Sequence, residues 1–213
     1  MIRAVVFDLD GVLADTERLQ CAAYQTVLRE LDVDVDIEEY RRQWIATGFG
    51  PEYACRTYRL PIGPDELRAR KAAVYVDLLR RGVQAIPGAP GAVARLRATH
   101  RIGLATNTVR AETRMILGQL GLTPYFDALV TREDYAAPKP APDAYLAAAR
   151  ALGVAPAECA VVEDTTRGVR AAVAAGMKAI AAPNELTFDN DFTGASRRIE
   201  HLDELTPALL AAL

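Results

Sequence analysis

The 213-residue sequence predicts an α/β fold: a mostly parallel sheet with helices on both faces, interrupted after its first strand by an all-helical insert. Three observations lead there. The apolar runs Ile2 to Phe7, Ile102 to Ala105, Ala128 to Val130, Ala160 to Val162 and Ala179 to Ala182 are short and continuous, as strands covered on both sides must be. Helix-patterned stretches separate most of them, and that alternation builds parallel sheets. The segment from Asp15 to Ala85, by contrast, carries helical patterns with no strand between them.

Taken in order, the first strand runs into Asp8, Leu9, Asp10 and Gly11, where glycine lets the chain turn sharply. The insert follows, with helical patterns at Glu17 to Leu31, Ile37 to Ile45 and Asp65 to Arg81. Gly82 and the cluster Pro87, Gly88, Pro90, Gly91 punctuate its return. Helices are then expected at Gly88 to Ala98, Val109 to Leu120, Pro142 to Leu152 and Thr166 to Ala175, each beside one of the later strands. The expected domains are residues 1–14 with 86–213 as a catalytic core, and 15–85 as a helical domain.

Composition narrows the function. Lys and Arg number 25 against 28 Asp and Glu, a net charge of −3 with the signs mixed, which argues against a nucleic-acid partner. Asp8 and Asp10 break the N-terminal apolar stretch too early for a signal peptide, and no segment approaches the roughly 18 apolar residues of a membrane span. A cytoplasmic protein is expected, and nothing demands more than a monomer. Cys21, Cys55 and Cys159 are odd in number and lack paired metal spacing, so they read as buried free thiols; His100 and His201 read as surface residues. Chemistry must then come from carboxylates, hydroxyls and lysine.

Ligands of open parallel sheets bind beyond the carboxyl ends of the strands, and four such ends carry unusual residues. These are Asp8, Asp10 and Gly11; Thr106, Asn107 and Thr108; Lys139 in "APKPAP"; and Glu163 with Asp164. Residues two apart in extended chain project to the same side, so Asp8 and Asp10 can share a pocket. Their charges, with those of Glu163 and Asp164, suit a hard divalent cation, and Mg²⁺ takes a few carboxylates plus waters and a phosphate oxygen. A carboxylate can attack phosphorus, and the second Asp can protonate the leaving oxygen and later activate water. Lys139 would neutralise charge at the phosphoryl group. The Thr106 hydroxyl and the N–H groups at the start of the next helix would hold its oxygens.

Plainer readings compete. Asp15 reads as a helix cap before Thr16, and Asp143 as a first-turn residue favoured by the helix dipole. Lys139 alone would be a solvated charge, and Glu163 and Asp164 could cap the helix near Thr166. Trp44 reads as core of the insert.

On "FDLDGVLADTE", Thr106 after an apolar strand, "KPAPDAYLAAARALGV" and "VVEDTTRGVRAAVAAGM", the chain resembles the haloacid dehalogenase-like phosphohydrolases. The likeness is to the branch of β-phosphoglucomutase and phosphoglycolate phosphatase, and it spans nearly the whole chain. It implies a Rossmann-like core and a helical cap that closes over it and supplies substrate contacts. By position, it makes Asp8 the nucleophile, Asp10 the acid/base and, through its main-chain carbonyl, a metal ligand. Thr106 and Lys139 become phosphate holders, Glu163 and Asp164 complete the Mg²⁺ site with Asp8, and Asn107 contributes its N–H or amide. In the cap, "TGFGPE" (Thr47 to Glu52) reads as a loop toward the substrate, with Thr47, Gly48 and Lys71 as binding residues and Arg56 as a further cation.

Two departures separate the chain from the mutase pattern: Gln20 stands where such members carry His in the first cap helix, and Pro51 where they carry a cap-loop Arg. A mutase must grip a bisphosphate intermediate by its distal phosphate, so hydrolysis of a small phosphorylated metabolite is the favoured reading. A phosphoglucomutase-type transferase is the alternative. A dehalogenase, which typically lacks the second Asp, and a phosphorelay receiver, which lacks the large insert, fit less well.

Overall fold

The computed structural model describes residues 1–45, 47, 48 and 50–213. In chain order its principal elements are β1 (Ala4–Phe7), α1 (Glu17–Arg29), α2 (Ile37–Tyr40), α3 (Pro51–Thr57), α4 (Pro64–Arg81), α5 (Ala89–Arg97), β2 (Arg101–Ala105), α6 (Arg110–Gln119) and β3 (Ala128–Val130). They continue with α7 (Asp143–Leu152), β4 (Cys159–Glu163), α8 (Thr166–Ala174), β5 (Lys178–Ala181), β6 (Arg197–Arg198) and α9 (Pro207–Ala211). The chain divides into two compact units, Met1–Asp15 with Gln84–Leu213, and Thr16–Val83.

In the first unit the six strands form one parallel sheet in the order β3-β2-β1-β4-β5-β6. β1 is central, with Phe7 level with Leu104 of β2 on one side and Val162 of β4 on the other. Ala4 and Val6 of β1, with Cys159 and Val161 of β4, join the buried faces of α7 and α8 in one apolar cluster; α5 packs on β2. Chain order reverses direction across the sheet at β1, the place where open sheets leave a crevice at their strand ends. Asp8 follows β1 directly, Thr106 follows β2, and Glu163 closes β4, so the register alone brings these residues to one rim.

The expected strands and the four core helices all form, with ends shifted by a residue or two, where helix termini fray. The two-residue β6 was not expected: it is exposed and basic, without an apolar run to announce it.

In the second unit α1 packs on α4, and both carry the apolar residues that make its core, among them Leu28, Leu67, Tyr75 and Leu79. The helix expected over Ile37 to Ile45 is α2 followed by a wider, π-type turn over Arg41–Ile45. That turn seats Trp44, 4% exposed, against Tyr24 and Tyr40, with ring centroids 4.2 and 5.7 Å away. The loop expected at Thr47 to Glu52 ends early, because Pro51 and Glu52 already belong to α3. Proline suits the first helical turn, where its missing N–H would have had no partner. Phe49 of that segment lies outside the described residues. The N-cap of α1 is Thr16 rather than Asp15. Cys21 and Cys159 are buried and Cys55 is half-buried; His201 is exposed, whereas His100 is half-buried beside Thr99. Among the described residues no helix is long and apolar enough to cross a membrane.

Candidate active site

The rim above β1, β2 and β4 gathers charged groups that are otherwise rare inside a protein. Asp8, Lys139, Glu163 and Asp164 are all buried. One oxygen from each of Asp8, Glu163 and Asp164 lies within 4.8 Å of the others. Lys139 Nζ donates to Asp8 Oδ1, to Glu163 Oε1 at 2.7 Å and to the Ala105 carbonyl at 2.9 Å, which employs all three ammonium protons. Lys139 reaches this point from the segment before α7, and Asn107 Oδ1 helps fix that segment by accepting from Lys139 N at 3.4 Å. The Asn107 side chain thus holds backbone, and Tyr135 holds it in turn, with its hydroxyl 2.7 Å from Asn107 Oδ1 and 2.9 Å from the Thr106 carbonyl.

Glu163 is the best-satisfied acid. Oε1 accepts from Lys139 and from the Tyr145 hydroxyl at 2.6 Å, while Oε2 accepts from Asp164 N, Thr165 N and Thr165 Oγ1. Its packing against α8 requires Gly168, since a Cβ there would stand 1.7 Å from Glu163 Cδ. Gly11 is equally confined: its φ is +77°, and a Cβ would meet Asp164 Oδ2 at 2.1 Å.

These surroundings divide the acids. Burial pushes Asp8 up to about 8, the Lys139 charge working against that rise and the Glu163 and Asp10 charges adding to it. Burial works in the same upward sense on Glu163, but the Lys139 ammonium and the donated hydrogen bonds from Lys139, Tyr145 and Thr165 hold it below its ordinary value. For Lys139, burial alone would favour the neutral amine; the Asp8 and Glu163 carboxylates overcome it and raise the pKa above that of a free lysine.

Three buried carboxylates therefore converge, and one ammonium pairs with two of them: Glu163 receives further donors, whereas Asp8, among the described residues, receives Lys139 alone. Such a set of hard oxygen donors, short of positive charge in a low-dielectric site, fits a small divalent cation.

Asp10 points to a different pair of partners. Thr106 Oγ1 at 3.1 Å and Thr108 Oγ1 at 2.6 Å both donate to its Oδ2, and Thr108 N donates to Thr106 Oγ1 at 3.0 Å. Two donors on one oxygen orient this carboxyl firmly. At the start of α6, expected to offer N–H groups to a phosphoryl oxygen, one of those groups is engaged: Arg110 N donates to both oxygens of Glu133, at 3.0 and 3.1 Å. A carboxylate from the loop after β3 already answers that helix terminus.

The structure thus brings Asp8, Asp10, Gly11, Thr106, Asn107, Lys139, Glu163 and Asp164 together in the first unit. Thr47, Gly48 and Lys71 belong to the second. There Thr47 and Gly48 are exposed, and Lys71 donates to Gln20 Oε1 with its ammonium 5.2 Å from the Tyr24 ring and 4.6 Å from the Tyr75 ring. Arg56 is exposed.

Sequence reasoning passed over Tyr145, Tyr135 and Gly168, and it named Thr108 at a strand end without giving it a role. Gly168 did carry a signal, because a glycine inside the first turns of a helix usually has a packing reason. Tyr145 carried none, being one more apolar-face residue of α7.

Sheet and site together define an α/β protein that gathers buried carboxylates and one lysine at its strand ends. A family model described as haloacid dehalogenase-like hydrolase matches residues 2–176. The chain belongs to this hydrolase family and is an enzyme of it. It is 32% identical to the protein CbbY of Rhodobacter capsulatus, with 94% of each chain covered. It is 30% identical to the fructose-1-phosphate phosphatase YqaB of Escherichia coli, over 83% of this chain and 94% of that one. Among solved structures, CbbY from Rhodobacter sphaeroides in complex with phosphate superposes with a TM-score of 0.85 at 31% identity, covering 99% of this chain and 100% of that one.

Proposed function

We infer that the chain is a Mg²⁺-dependent phosphatase of a small phosphorylated metabolite, of sugar-phosphate or phosphoglycolate type, working through an aspartyl phosphate on Asp8. The observation that carries this reading is the convergence of Asp8, Glu163 and Asp164, the first two of which receive the Lys139 ammonium. A relative named for fructose 1-phosphate and a CbbY structure that holds phosphate support the substrate class.

In the proposed reaction an Asp8 oxygen attacks phosphorus, and the bond from phosphorus to the ester oxygen breaks. Asp10 gives its proton to that oxygen, so the alcohol leaves neutral. Asp10, now a carboxylate, takes a proton from water; the water oxygen attacks phosphorus, the acyl phosphate bond breaks, and Asp8 is restored with release of phosphate. Thr108 holds Asp10 in place for both transfers. Lys139 offsets charge on Asp8 and on the phosphoryl group, which Thr106, Asn107 and the Gly11 turn receive. Asp8, the Asp10 carbonyl, Asp164 and Glu163 are the groups that would hold Mg²⁺; when bound, it neutralises the acids and withdraws charge from the phosphoryl oxygens. Thr47, Gly48 and Lys71 are proposed to contact the rest of the substrate.

The test is phosphate release from a panel of sugar phosphates and phosphoglycolate, with and without Mg²⁺. Turnover of at least one ester, lost on chelation, is expected. Folded protein that releases no phosphate from any of them would overturn the reading, and interconversion of hexose phosphates with little free phosphate would transfer it to the mutase class.

A further inference from the structure

The loop after β5 carries a residue that reaches both sides of the acidic cluster. Asn184 Nδ2 donates to the Gly11 carbonyl at 3.0 Å and to Asp164 Oδ2 at 2.9 Å. The amide cannot be turned the other way round, because its Oδ1 accepts from Leu186 N at 2.8 Å. The backbone is pinned as well: Asn184 N donates to the hydroxyl of the fully buried Thr187, at 2.9 Å.

Gly11 and Asp164 present two acceptors to each other across the β1 and β4 loops. Left alone, a carbonyl dipole and a carboxylate charge repel. One NH₂ group with its two protons satisfies both acceptors and sets their spacing. The fit has no slack, since a Cβ on Gly11 would stand 2.1 Å from Asp164 Oδ2 and 2.8 Å from Asn184 Nδ2.

We propose that Asn184 is a positioning residue of the metal site: by bridging Gly11 and Asp164 it sets the Asp164 carboxylate and the turn after Asp10 in the arrangement that receives the cation. This rests on the Mg²⁺ reading above. It acts through Asp164, so its loss should weaken the hold on the metal more than it slows chemistry once the metal is bound. Partners that orient metal ligands typically affect affinity by about 10- to 100-fold.

The experiment is isothermal titration of Mg²⁺ alone into wild type, Asn184→Ser and Thr187→Val, with kcat measured at saturating Mg²⁺. Serine can still accept from Leu186 N and keep the turn, but its hydroxyl is too short to reach Asp164. Thr187→Val removes the backbone anchor and leaves the amide. For Asn184→Ser, an increase in the Mg²⁺ Kd of about tenfold or more is expected, with a smaller change in kcat and a cooperative thermal transition. Thr187→Val should bind Mg²⁺ nearly as wild type does. Equal Kd values for Asn184→Ser and wild type would overturn the assignment while leaving the phosphatase reading intact. Equal weakening by both substitutions would also overturn it, by tracing the effect to loop architecture. Wild type that neither binds Mg²⁺ nor needs it for turnover would remove the Mg²⁺ reading itself, and this inference with it.

Discussion

The Tyr145 hydroxyl lies 2.6 Å from Glu163 Oε1, the same oxygen that receives Lys139 Nζ, and the Lys139 ammonium sits 4.6 Å from the centre of the Tyr145 ring. One aromatic side chain of α7 thus supports both members of the buried ion pair. Tyr145→Phe keeps the ring and removes the donor. A loss of about 1–2 kcal/mol of stability is expected from the weakened satisfaction of Glu163, read by urea unfolding, together with a fall in kcat that exceeds any change in KM. Unchanged stability and unchanged kcat would deny the bond any role.

Lys139 is the cation that the buried Asp8 and Glu163 carboxylates share. Lys139→Met should destabilise the metal-free protein by about 3–5 kcal/mol, because unpaired buried charge is left behind. The loss should shrink at acidic pH, where protonation relieves the repulsion. Urea midpoints for both proteins at neutral and acidic pH test this; a pH-independent difference would trace the cost to packing instead.

Asp8 gives the metal-free enzyme a pH signature. Its carboxyl is raised from 3.8 to about 8 in the folded chain, burial being the main cause, so the folded state binds the proton more tightly than the unfolded one. Stability is then greatest below the unfolded value and declines as pH rises through about 8. Asp8→Asn should flatten that decline in thermal unfolding while abolishing phosphate release. A wild-type transition temperature that rises over the same window would show that another group dominates.

Gly168→Ala separates packing from propensity. Alanine is the better helix former by about 1 kcal/mol, yet its Cβ would overlap the Glu163 carboxylate. The expected result is therefore destabilisation, about 1–3 kcal/mol as for other overpacked sites, together with loss of activity. A stabilised, active variant would mean that Glu163 relaxes freely.

Much of this was written along the chain. The continuous apolar runs announced strands buried on both faces, and the sudden polar and charged residues at their ends, Asp8, Thr106, Lys139 and Glu163 with Asp164, announced the rim of the candidate site. Short elements escaped for lack of signal: β6 is two exposed arginines, and the wide turn at Arg41–Ile45 differs from a regular helix only in how it seats Trp44.

The sequence by itself determined which residue types would stand at the strand ends, because period and apolarity decide where strands stop. Only the tertiary structure decided how the charges are shared. Lys139 lies 131 residues from Asp8 in the chain, and Asn184 lies 20 from Asp164 and 173 from Gly11, so no spacing rule couples them. Hydrogen bonding and burial act through distance in space. That is why Glu163 is held ionised by five donors, Asp8 is pushed toward its neutral form, and Glu133 accepts from Arg110 N at the start of α6.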